Sequence, residues 1–281
     1  MENSYEVDED IEETSALLNG EEVSNNYDFI YTHSNECLSN LFDNFDVRDK
    51  RVLTVLSSSD QLFNCLIRDC FSVDTYDINK LTKYFYYLRK WNIIYNGKFY
   101  LPCSITGTFI YNILNKVSVS SPSEEEAYKY WSMFIRKFPG FLYKYLFYTG
   151  VRDNYSFDFS LDDLKDKLSS YDLSFKCLDM GSSVDISSKY DVVITSNISE
   201  YFVDDLEKIS NYKNNLDKII DSNGCVISSH MINSHIPYLE SCLFNSSFNS
   251  SEFPYFYDKF FDSYFPLGYC YKKKRDGVNK K

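Results

Sequence analysis

An α/β fold, a doubly wound, mostly parallel sheet with a helical aromatic-rich insertion, is what three features of the sequence predict. Short apolar runs alternate with amphipathic segments over residues 50–91 and again over 171–230. Strands covered on both faces read as such runs, and their alternation with helices makes parallel βαβ units. Residues 92–170 break that rhythm and are mostly helical and aromatic. Four apolar runs also end on polar residues, at the edge where ligands bind in such sheets.

Residues 1–26 contain no Lys or Arg, include EVDEDIEE and have little to bury, so they are expected to be an acidic disordered tail with at most a short helix near Thr14–Leu18. Residues 27–91 form the first half of the main domain. Leu38, Leu41, Phe42 and Phe45 have helical spacing behind a cap at Ser34 or Asn35. RVLTVLS is a buried strand, DQLFNCLIRDC a helix, SVDTYDI a second strand and NKLTKYFYYLRKWNII a second helix. In the insertion or lid, 92–170, Ser123 with Glu126 matches a capping box. Tyr128, Trp131, Phe134, Ile135 and Phe138 follow as a helical stripe, stopped at Pro139-Gly140, and a short helix starts at Ser160. The second half, 171–271, holds strands SFKCLDM, YDVVITS and CVISS, a helix between the last two, a turn at Asn223-Gly224 and a terminal stretch able to supply an antiparallel edge pair. Residues 272–281 are a basic tail. The whole is a Rossmann-like arrangement.

Bulk properties narrow the function. With 281 residues, 44% of them apolar, the chain can build one large domain. A net charge of −12 gives no long-range attraction to phosphate backbones, so no nucleic-acid partner is expected. The eight cysteines form no C-x-x-C pair and have no nearby His pair, so no metal site is expected, and reduced thiols in a cytoplasm are the simplest account. No apolar run is long enough for a transmembrane segment.

The candidate site residues lie at the four strand ends. Asp77 ends the second strand, where a carboxylate accepts both ribose hydroxyl protons, and Asn79 follows it. Ser57, Ser58, Ser59 and Asp60 feed a helix amino end, which attracts a carboxylate, or else Ser59 or Asp60 serves simply as the cap. Asp179 and Met180 follow the third strand, and Asp179 is suited to an adenine amino group or to a plain loop role. Ser196-Asn197-Ile198-Ser199-Glu200-Tyr201 ends the fourth: Asn197 offers amide donors and acceptors, and Glu200 and Tyr201 can hold or deprotonate an acceptor group, unless the stretch is only a helix start. Gly-x-Gly-x-x-Gly and Gly-x-Ser-x-Gly are absent, and His33, His230 and His235 have no evident serine partner, which argues against nicotinamide chemistry and serine hydrolysis.

The order of elements resembles class I S-adenosylmethionine-dependent methyltransferases, although Thr54, Leu56, Ser58 and Asp60 stand where their acidic residue and three glycines would be. VLTVLSSSDQLFN with YDIN and the later SN-hydrophobic strand end resembles more closely the S-adenosylmethionine:diacylglycerol 3-amino-3-carboxypropyltransferases and their bacterial relatives, over roughly residues 30–90 and 174–230. That resemblance implies S-adenosyl-L-methionine as cofactor, with Ser57, Ser58 and Asp60 at its methionine moiety, Asp77 at the ribose and Asp179 near the adenine. It implies Asn197 facing the transferred group, and Asn35 and Glu36 of THSNE in the pocket. The expectation is a transferase moving a methyl or 3-amino-3-carboxypropyl group to a small-molecule or lipid acceptor. The alternative is an inactive transferase fold kept as a binding module. The aromatic stripe fits a lid over the acceptor, with insertion core the preferred reading for most of it.

Overall fold

The computed structural model describes residues 3–18, 30–32, 34, 38–102, 105–139, 147–148, 159–202, 205–229, 248–254 and 267–273. In chain order the elements are α1 (Asn3–Leu18), β1 (Ile30–Tyr31), α2 (Leu38–Asn44), β2 (Arg51–Val55), α3 (Asp60–Ile67), β3 (Ser72–Asp77), α4 (Thr82–Asn96), α5 (Gly107–Leu114), α6 (Pro122–Lys137), β4 (Phe147–Tyr148), α7 (Leu161–Ser170), β5 (Phe175–Cys177), β6 (Tyr190–Ser196), a 3₁₀ turn (Ile198–Phe202), α8 (Leu206–Ile219), β7 (Ile220–Ser229), β8 (Phe248–Pro254) and β9 (Leu267–Lys273).

Seven strands make one sheet in the order β5-β3-β2-β6-β7-β9-β8. The first five are parallel, β9 runs antiparallel to β7, and β8 runs antiparallel to β9. The sheet is therefore doubly wound and Rossmann-like, and the strand order reverses between β2 and β6. Strand periodicity explains the two layers of helices. Val52, Val192 and Ile194 join a core with α1–α7, whereas Leu53, Val55, Val193 and Val226 join a second core with α8 and the 3₁₀ turn. Both faces are covered, which is why these strands read as unbroken apolar runs. At the amino ends of three neighbouring strands, the Arg51 guanidinium meets Asp191 at 3.3 Å and Asp221 at 3.1 Å.

The acidic amino-terminal segment departs from its expected disorder over residues 3–18. Val7 and Ile11 are buried, and so are Asp10 and Thr14. Asp10 takes Lys80 Nζ at 2.5 Å and the Tyr84 hydroxyl at 2.5 Å, Glu13 takes Lys80 at 2.7 Å, and Thr14 shares a 2.8 Å hydrogen bond with Tyr130. Lysines some 70 residues away supply what the segment lacks, and a purely local reading could not see them. Positions 1–2 and 19–26 lie outside the described residues.

The described helices of the insertion, α5 and α6, pack into the core beside α4. Trp131 and Phe134 are fully buried, Tyr130 stacks on Tyr84 with ring centroids 3.9 Å apart, and Trp131 Nε1 donates to Tyr84 O at 2.8 Å. Insertion core is thus the right description of those residues of the stripe. The α6 cap is Ser121, whose hydroxyl accepts from Glu124 N, with Pro122 as the first helical residue. This corrects the expected Ser123–Glu126 box by two positions, because proline's fixed φ suits the first turn. Ser160 caps α7 as expected. The turn expected at Asn223-Gly224 is instead a bulge within β7: partners advance from Ile220 to Cys225 while β6 advances from Tyr190 to Val192. A side chain at Gly224 would come within 2.8 Å of Ile220 and 2.9 Å of Tyr190 O. Of the basic tail, Lys272 and Lys273 belong to β9, and Lys273 donates to Asp217 O at 2.7 Å.

Candidate functional site

A cleft enclosing about 680 Å³ of empty space, part of it open to solvent, lies at the carboxyl ends of β2, β3, β5 and β6. This is the switch point of the sheet, where ligands bind in open α/β folds. Its walls are Val55 and Ser57 after β2, Asp77, Ile78, Asn79 and Thr82 after β3, and Leu178, Asp179 and Met180 after β5. Ser196, Asn197, Ile198, Tyr201 and Phe202 follow β6, and Tyr31 comes from β1. The mixture is apolar walls with a few convergent polar groups.

Asp77 is the best-defined member. Its Oδ2 accepts the Ser57 N–H at 2.8 Å and its Oδ1 the Asn79 N–H at 3.0 Å. Burial pushes its carboxyl up to about 6, against these backbone N–H groups, which favour the charged form. Asn79 makes an Asx turn ahead of α4: its Oδ1 accepts from Leu81 N at 2.9 Å, and its carbonyl from Thr82 Oγ1 at 2.8 Å.

Asp179 closes its own loop. Its oxygens accept from Gly181 N at 2.8 Å and Ser182 Oγ at 2.9 Å, and Lys208 Nζ stands 4.0 Å away. Gly181 lets the loop pass close to Phe202: a Cβ there would lie 2.8 Å from the ring and displace it. Met180, nearly fully buried, is held through its carbonyl by Asn215 Nδ2 at 2.9 Å.

The fourth strand end folds into the 3₁₀ turn, as its helix-start reading allows: Glu200 N donates to Asn197 O at 3.0 Å. Asn197 Nδ2 donates to Glu200 Oε2 at 3.2 Å, Ser196 Oγ lies 3.3 Å from Asn197 Oδ1, and the Tyr201 and Tyr31 hydroxyls are 3.5 Å apart. Glu200 thus stands behind Asn197 and is not itself a wall of the cleft. Tyr31 and Phe202 are walls that sequence reading missed. An isolated Tyr in a two-residue strand carries no local signal.

The β2–α3 loop is where structure and expectation part. Ser57 lines the cleft, but Ser58, Ser59 and Asp60 do not: all three are fully buried. Asp60 pairs with the fully buried Arg89 at 2.7 Å and accepts from Ser58 Oγ at 3.0 Å and Ser34 N at 2.5 Å. Ser59 holds the N-cap position of α3, yet its side chain caps nothing. Ser57, Ser59 and Ser196 have φ of 40°, 72° and 55°, values that glycine adopts freely and serine does not. Asn35, Glu36, His33, His230 and His235 lie outside the described residues. Among the described residues no group of three or more His, Cys, Asp or Glu is placed to hold a metal, and no helix is long and apolar enough to cross a membrane.

Fold and cleft together define a doubly wound α/β protein with a ligand-type site at its switch point. No protein-family model matches the sequence, and no curated protein matches it. Solved structures of methyltransferases do match its trace. Ribosomal protein L11 methylase from Lactobacillus delbrueckii subsp. bulgaricus is 12% identical, with a TM-score of 0.40, over 83% of this chain and 75% of that one. N-methyltransferase NodS from Bradyrhizobium japonicum WM9, in complex with S-adenosyl-L-homocysteine, is 6% identical with a TM-score of 0.42 over 84% and 83%. The glycopeptide N-methyltransferase MtfA complexed with S-adenosyl-L-homocysteine is 8% identical with a TM-score of 0.44 over 85% and 88%.

Proposed function

We propose that the protein is an S-adenosylmethionine-dependent transferase. The observation that carries this is Asp77: a carboxylate at the end of the second strand of a doubly wound sheet, fixed by two backbone N–H groups and facing the cleft. Such a group accepts the paired hydroxyls of a ribose. The residues present suit the rest of the cofactor. Ile78, Leu178, Met180 and Phe202 give apolar walls for a flat base, Asp179 a carboxylate beside it, and Ser57 and Asn79 a polar floor.

When bound, the sulfonium makes its attached carbons electrophilic, so the protein's task is to align an acceptor and exclude water. Asn197 is assigned to orient the acceptor. Glu200, hydrogen-bonded to Asn197 and set back from the cleft, fixes that amide. Tyr201, paired with Tyr31, closes the acceptor side. The transferred group is methyl or 3-amino-3-carboxypropyl, the acceptor a small molecule or a lipid, and the setting a cytoplasm. The second reading, a transferase fold that binds without turnover, is favoured by one feature: Ser58, Ser59 and Asp60 are committed to the protein's interior.

Calorimetric titration with S-adenosylmethionine and S-adenosylhomocysteine tests the proposal, and binding of both is expected. Product analysis then separates the groups: S-adenosylhomocysteine reports methyl transfer, and methylthioadenosine the alternative. No heat and no thermal shift at millimolar ligand rejects the proposal; binding with no product against any acceptor establishes the second reading.

A further inference from the structure

We propose that Arg89 is a positioning residue for this cleft: paired with Asp60, it clamps the glycine-free β2–α3 loop so that Ser57 keeps its N–H on Asp77. The proposal rests on the transferase reading for what the cleft binds, but not for the clamp itself.

Ser57 and Ser59 both occupy left-handed backbone, at φ 40° and 72°, on either side of Ser58. An L-residue held there persists only where the surroundings over-determine it. Ser58 is what the surroundings grip. Arg89 Nη1 donates to the Ser58 carbonyl and, at 2.7 Å, to Asp60 Oδ1; Asp60 Oδ2 accepts from the Ser58 hydroxyl at 3.0 Å. The same carboxylate takes the Ser34 N–H at 2.5 Å, tying in the chain ahead of α2.

The clamp is itself rigid. Both side chains are fully buried. The guanidinium sits 4.9 Å from the ring centroids of Phe63 and Phe99, and its Nη2 lies 3.4 Å from Phe99 O. Both bonds to the loop leave the same nitrogen, Nη1, and the planar guanidinium packed against the two rings, with Nη2 at Phe99 O, fixes where that nitrogen points. Neither Arg89 nor Asp60 reaches the cleft, so the pair acts only through the loop, whose next residue towards the site is Ser57.

The test is the double variant Arg89→Met with Asp60→Asn, which leaves no stranded charge. It is read by cooperative thermal melting, hydrogen exchange at the Ser57 amide, NMR titration of Asp77 and calorimetry with S-adenosylhomocysteine. The melt is expected to remain cooperative, while Ser57 exchange quickens at least tenfold, the Asp77 carboxyl titrates at higher pH, and affinity falls at least tenfold. Adding Ser57→Gly and Ser59→Gly, which removes the need to hold serine in that backbone, recovers part of each loss; a merely structural role for the pair predicts no such recovery. Should the double variant not fold, Arg89→Lys, which keeps the charge but loses the guanidinium plane held by Phe63, Phe99 and the Phe99 carbonyl, is read in the same way. Unchanged Ser57 exchange and Asp77 titration in a folded variant overturn the proposal. If the wild-type protein binds no S-adenosylhomocysteine, the transferase reading fails, and the exchange and titration results still decide the clamp.

Discussion

Ser57 and Asp77 meet across the ends of adjacent strands, the N–H of one 2.8 Å from Oδ2 of the other. The bond couples the β2–α3 loop to the carboxylate assigned to the ribose. Asp77→Ala is expected to weaken S-adenosylmethionine binding at least tenfold while leaving the fold cooperative. Calorimetry checks it, and unchanged affinity refutes the ribose assignment.

The same carboxyl gives the site a pH dependence. It is pushed up to about 6 by burial, and a ribose donates to its ionised form. Affinity should therefore climb between pH 5 and pH 7, by up to about tenfold, and stay flat in Asp77→Asn.

Stability runs the other way. A carboxyl raised in the folded state above its value of 3.8 favours folding while protonated. Its contribution is fully present below pH 3.8 and is lost as pH rises through about 6. The stability of the wild type relative to Asp77→Ala should fall by about 2–3 kcal/mol between pH 3.5 and pH 7, measured by urea unfolding.

Ser59 combines left-handed backbone with a fully buried hydroxyl that has no hydrogen-bond partner. Ser59→Gly removes both penalties and adds unfolded-state entropy, for a net gain of about 1 kcal/mol. Its urea midpoint should rise, and a fall would show that the hydroxyl is satisfied in solution.

Asp10 joins α1 to the loop after Asp77, since Lys80 lies three residues beyond it. Asp10→Ala leaves Lys80 with Glu13 and the Tyr84 hydroxyl with Glu126, so the loss is that of charge-assisted hydrogen bonds, about 1.5 kcal/mol, and a drop in melting temperature of a few degrees is expected. A shift within one degree would mean that Asp10 contributes nothing to stability.

How much of this was legible beforehand depended on range. The βαβ rhythm, the strand ends and the placement of Asp77, Asn79, Asp179, Met180, Ser196, Asn197 and Tyr201 around one cleft all follow from short patterns, because period and apolarity are local. What escaped was set by distant partners. The acidic amino terminus becomes a helix only against Lys80, Tyr84 and Tyr130. Ser58 and Asp60 look like ligand donors until Arg89, about 30 residues on, claims them. Ser121 caps α6 in place of Ser123 because Pro122 fixes the first turn, a preference that a serine-to-glutamate spacing alone does not weigh.

The Arg89–Asp60 contact also bears on ancestry. Sequences descended from a common parent with this chain should carry their signature not in a run of small residues after the first long strand but in two separated positions that change together, an acid at 60 surviving only where 89 stays arginine. Searches keyed to such covariation, rather than to a contiguous motif, are the way to gather its homologues.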